Sequence, residues 1–135
     1  MRRHILIGVG GLSVLTAAYM GSATQHWYQT IPGVAHTGPM NFHFAKDVAL
    51  AYLSSGAALI WAGVRQDRLI GICGASWLVL HALFHILIWF QRGMPADMIA
   101  LTNLIGIQTP AFAGVISVFG LKSEGTKSCS ARFKK

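Results

Sequence analysis

Residues 69–90 read LIGICGASWLVLHALFHILIWF, and this stretch decides the fold. It carries no Asp, Glu, Lys or Arg. At about 1.5 Å of helical rise per residue it spans roughly 33 Å, enough to cross a hydrocarbon core of about 30 Å. Trp89 and Phe90 close it with the aromatic pair expected at a membrane interface. Two ionisable side chains, His81 and His85, interrupt the apolar run four residues apart. A membrane-spanning helix with an embedded histidine pair is the reading from which the rest of the chain is interpreted.

Three further apolar segments flank it. Before it, Arg65-Gln-Asp-Arg68 makes a tight polar turn, and residues 42–64 form a span with His43, Lys46 and Asp47 in its first turns. Either Pro39, as a first-turn proline, or Asn41, as a capping side chain, starts that helix. After it, Gln91-Arg-Gly-Met-Pro95 is the next turn and residues 98–121 the last span, with Asn103, Gln108 and Pro110 inside. Pro95 suits the first helical position there, and Asp97 in the first turn faces the positive end of the helix dipole. At the start of the chain, Met1-Arg-Arg-His4 precedes an apolar run over 5–21. That run imitates a secretory signal ending at Gly21-Ser22-Ala23, but its length and the three spans behind it favour an uncleaved first span. Ser13, Ala17 and Gly21 stand four apart and offer a small-residue ridge for close helix approach. Residues 22–40 read as a loop punctuated by Pro32-Gly33 and Gly38-Pro39, with Trp27 and Tyr28 as an aromatic belt. A basic tail covers residues 122–135.

Composition agrees. Of 135 residues 53% are hydrophobic and 11% charged, against about 25% charged in soluble domains. The length allows one all-α domain, a four-helix transmembrane bundle, and not two. The net charge of +7 sits at the chain ends and in one short loop. No basic patch is interleaved with aromatic residues, so nucleic acid is not an expected partner. Cys73 and Cys129 form no metal-binding or redox spacing. With four antiparallel spans, Arg2, Arg3, Arg65, Arg68, Lys122, Lys127, Arg132, Lys134 and Lys135 share one side. Lys46 and Arg92 fall on the other, and the positive-inside rule then puts both termini in the cytoplasm.

The polar residues inside the spans are the candidate site. Counted from the outer ends, Asp47, His85 and Asn103 each lie five residues in, roughly 7 to 8 Å deep; His81 and Gln108 lie about 14 to 15 Å deep. His43 and Asp47 share a face of one helix, and His81 and His85 a face of another. An Asp in a membrane span is costly, so Asp47 is expected to turn inward and pair with His85 or His43. Three readings follow. One is a structural Asp–His cluster fixing helix register. Another is a ligand site: a transition metal on His43, Asp47 and His85, a haem between facing histidines such as His43 and His85, or a quinone. The last is a proton or solute path through Asp, His, Asn and Gln. No HExxH, P-loop, GxSxG or dinucleotide fingerprint is present, so enzymatic chemistry is not expected.

Trp27-Tyr28, Ile31-Pro-Gly-Val34, Thr37-Gly-Pro39, Asn41-x-His-Phe-x-x-Asp47, Ala51-Tyr52 and His81-x-x-x-His85 together resemble a group of small four-span bacterial membrane proteins of uncharacterised function. The resemblance covers mainly residues 27–55 and 81–85. It implies a bacterial inner-membrane protein and carries no activity, substrate or cofactor with it. The function expected is that of a non-catalytic accessory or binding component with a polar pocket in the outer half of the bundle. Its expected partners are the lipid bilayer and either a second copy or another membrane subunit. The alternatives are a redox protein using the same residues and a small proton or solute carrier.

Overall fold

The computed structural model describes residues 1–121; the basic tail and Cys129 lie outside them. Among the described residues there is no strand. Helix α1 spans Arg2–Ser22, α2 Thr24–Thr30, α3 Phe42–Arg65, α4 Arg68–Gln91, α5 Met98–Asn103 and α6 Thr109–Phe119. A π-helical segment, Leu104–Gln108, joins α5 and α6 into one long helix over Met98–Phe119. With α1, α3 and α4 this makes four helices long and apolar enough to cross a membrane.

Side-chain caps fix the helix starts. The Asn41 carboxamide oxygen accepts from the Phe44 N–H at 3.0 Å, so Asn41 and not Pro39 opens α3. Asp67 caps α4 through the Ile70 N–H at 3.0 Å, after Gln66 turns the chain with a left-handed backbone. The start of α5 differs from the expectation. Asp97 is the cap itself, accepting from the Ala100 N–H at 2.8 Å, and Pro95 precedes the helix, where its carbonyl accepts from Trp89 Nε1 at 3.0 Å. The Ala100 N–H and the Arg92 guanidinium hold the Asp97 carboxyl below the usual carboxylate range.

The expected loop over 22–40 is partly helical. No proline or glycine separates Ser22 from Thr30. The helix therefore breaks only at Ala23 (φ −124°, ψ 45°) and resumes as α2. Trp27 packs against the core. A 3-10 turn, Val34–Thr37, follows, and the Tyr28 hydroxyl donates to the Gly38 carbonyl at 2.8 Å.

The long helices pack in the cyclic order α1, α3, α4, α6. Leu6, Met20, Leu59 and Val118 are the largest fully buried side chains. The closest crossing is α1 on α3. A Cβ on Gly10 would lie 2.6 Å from the Gly56 carbonyl oxygen, and one on Gly56 2.7 Å from that of Gly10. Ser13 and Ala17 of the expected ridge are buried here, but Gly21 faces open space. The working ridge runs through Gly10, Ser13 and Ala17, shifted by about one turn toward the middle of the helix.

The π segment has a sequence cause. Pro110 has no N–H, and in a regular helix its ring would strike the carbonyl four residues back. The backbone widens just before it, and the Thr109 N–H reaches the Leu104 carbonyl five residues back.

Candidate functional site

The spacing of His43 and Asp47 puts them on one side of α3, and the fold decides which side. Ala45, Ala49 and Tyr52 form the buried stripe of this part of the helix. His43 and Asp47 each stand two residues from Ala45, about 200° around the axis. They point away from the bundle, with side chains 91% and 58% exposed and His43 Nε2 3.5 Å from Asp47 Oδ2. Asp47 thus takes the nearer of its two expected partners, and the inward turn toward His85 does not occur. Among the described residues no three His, Cys, Asp or Glu side chains converge as a metal would require. The set His43, Asp47 and His85 is not assembled. Neither is a facing pair of His43 and His85, because the buried stripe of α3 rotates His43 outward.

His81 and His85 are placed differently. Gly71, Gly74, Ala75, Leu78 and Ala82 form the buried stripe of α4. Trp77, His81 and His85, each four residues apart, run along its edge beside α3 and are half-buried. They form a column of rings. Trp77 and His81 stack nearly parallel, centroids 4.8 Å apart at 11°. His85 meets His81 edge-on at 4.6 Å, and Phe84 meets His85 edge-on at 6.1 Å. From α3, Tyr52 presents its ring to Trp77 at 4.8 Å and to His81 at 5.8 Å. The helices come close enough for this because Gly74 lies against Ala58 and the backbone of Leu59. Trp77 and Phe84 were not among the candidate site residues, and Tyr52 was named only in the resemblance. The four-residue repeat Trp77, His81, His85 was the signal that could have added Trp77.

Asn103 and Gln108 bracket the π segment and are half-buried. They belong to the fourth long helix, whereas the ring contacts of His81 and His85 are made within α4 and with Tyr52 of α3. A separate cleft of about 420 Å³ opens between the α1–α2 junction and the first turns of α3, lined by Ser22, Thr24, Gln25, His26, Phe42 and Lys46, among others.

The fold and this column together define an all-α protein with four membrane-length helices and a histidine–aromatic edge on one seam. Comparison with protein-family models, curated proteins and solved structures finds no match to the chain.

Proposed function

We propose that the chain is a four-span protein of a bacterial inner membrane, both termini cytoplasmic, acting as a non-catalytic binding component whose ligand meets His81 and His85. Support for the threading comes from charge at the helix ends. The Arg2 guanidinium donates to the Gly120 carbonyl, and Arg68 lies over the Phe119 ring at 5.3 Å. The start of α1, the start of α4 and the end of α6 therefore meet at one end, with Arg3 and Arg65 beside them. Lys46 and Arg92 belong to the opposite end. The positive-inside rule makes the arginine-rich end cytoplasmic.

One observation carries the binding role: two half-buried imidazoles held in a column of rings. An imidazole brings a hydrogen-bond donor or acceptor at each nitrogen, and hydrocarbon supplies partners for neither. A bound ligand would supply them.

Two experiments test this reading. In a chain with Cys73→Ala and Cys129→Ser, an Ala96→Cys variant is expected to react with a membrane-impermeant thiol reagent added outside spheroplasts. Protection until lysis would reverse the orientation. Secondly, His81→Gln and His85→Gln, singly and together, are expected to leave helicity and monodispersity intact, each costing under about 1 kcal/mol. A double variant that no longer folds would make the pair a scaffold.

A further inference from the structure

We infer that His81 and His85 are the hydrogen-bonding pair of a site for a lipid-soluble quinone, seated on the seam of α3 and α4. This rests on the binding role proposed above and names its ligand. Access comes first. The column lies along the flank of two membrane-length helices, with Phe84 exposed beside it, so a ligand reaches it through the lipid. Charge comes second. The rings around the pair belong to Tyr52, Trp77 and Phe84, which carry no opposite charge for an ionic ligand. His43, Lys46 and Asp47 are exposed on the other side of α3. A metal ion held by two neutral imidazoles would keep its full charge in hydrocarbon, at a cost of several kcal/mol. An uncharged ligand carries no such cost.

Shape and hydrogen bonding narrow the class further. Trp77 and His81 stack on each other at 11°, and Phe84, exposed beside His85, offers a ring for contact with a planar ligand. The rings of His81 and His85 meet edge-on with centroids 4.6 Å apart, so the pair serves one polar end of a ligand. A carbonyl seated there can accept from either imidazole. A neutral imidazole has both a donor and an acceptor nitrogen, so the same pair holds the quinone by donating and the hydroquinone by accepting.

The test uses the full chain in nanodiscs of zwitterionic lipid, titrated with a short-chain ubiquinone analogue and followed by tryptophan fluorescence. Trp77 stacks within the site, so saturable quenching is expected, and Trp77→Phe should remove most of it. His81→Leu and His85→Leu should each weaken binding roughly five- to tenfold, the effect of one neutral hydrogen bond, and His85→Gln should restore part of the loss. Quenching that rises linearly without saturation, or saturation unchanged in the double Leu variant, overturns the quinone assignment. If the His→Gln proteins remain folded, that result leaves the binding role standing with a different ligand. If they do not fold, both proposals fall together.

Discussion

Replacing Gly10 by leucine is expected to abolish the folded bundle. The Cβ alone would sit 2.6 Å from the Gly56 carbonyl oxygen, 2.7 Å from Ile60 Cγ1 and 2.9 Å from the Ile60 backbone nitrogen. Two of these atoms are backbone in the middle of α3 and cannot step aside as a side chain would. The helices must separate, and in a bilayer that separation is serious. Helix association there rests on close packing, with little hydrophobic drive between the helices. Gly10→Ala should cost about 1–3 kcal/mol by overpacking, and leucine more, because its whole side chain has to be housed. The expected result is loss of monodisperse protein in mild detergent for Gly10→Leu, and a lowered melting temperature for Gly10→Ala. Gly11 is the control on the same helix, since a Cβ there meets nothing within 4 Å. Gly11→Ala should be neutral or stabilising by up to about 1 kcal/mol through helix propensity. A Gly10→Leu protein that melts like the native one would remove this crossing from the fold.

The same crossing explains what was and was not legible in the sequence. Apolar length and polar punctuation placed the four long helices within a few residues of their observed ends. Asn41 and Asp67 have the side chains that cap helices, and they do so. Spacing also fixes which residues share a face, so His43 with Asp47 and His81 with His85 were sound pairs. It does not fix how a helix is rotated against its neighbours. For α3 that rotation follows from the fit of Gly56 against Gly10 and of Gly63 against Leu6 and Ile7, contacts between segments more than forty residues apart. Once these seat the helix, Ala45, Ala49 and Tyr52 face inward and Asp47 faces outward. For Asp47, equal depth with His85 therefore did not become contact, and the expected cluster separates into an exposed pair on α3 and a ring column on α4. Tyr52 entered the column for the same reason: it stands on the stripe that the glycines turn inward. The π segment had a visible cause in Pro110. The helical stretch Thr24–Thr30 had one as well, since no breaker occurs before Pro32.

Gly33→Ala is expected to destabilise the end of the molecule opposite the start of α1 by about 2–4 kcal/mol, through two separable effects. The first is conformational. Gly33 has φ +89° and ψ −20°, where a Cβ costs about 1–2 kcal/mol. The second is a collision, because the new Cβ would lie 2.7 Å from Ile99 Cγ2 and 3.3 Å from Ile99 Cγ1. Ile99 is in the first turn of α5, so this glycine is where the segment after α2 rests on the fourth long helix. Gly93 separates the two effects. Its φ is +80° and a Cβ there meets nothing within 4 Å, so Gly93→Ala should show the conformational part alone, about 1–2 kcal/mol. Combining Gly33→Ala with Ile99→Ala should recover the collision part, giving a favourable coupling of at least about 0.5 kcal/mol in a double-mutant cycle. Chemical denaturation in detergent, read by tryptophan fluorescence, measures the native protein, the three single variants and the double variant. Equal losses for Gly33→Ala and Gly93→Ala, with no coupling to Ile99, would mean that the segment does not bear on the fourth helix.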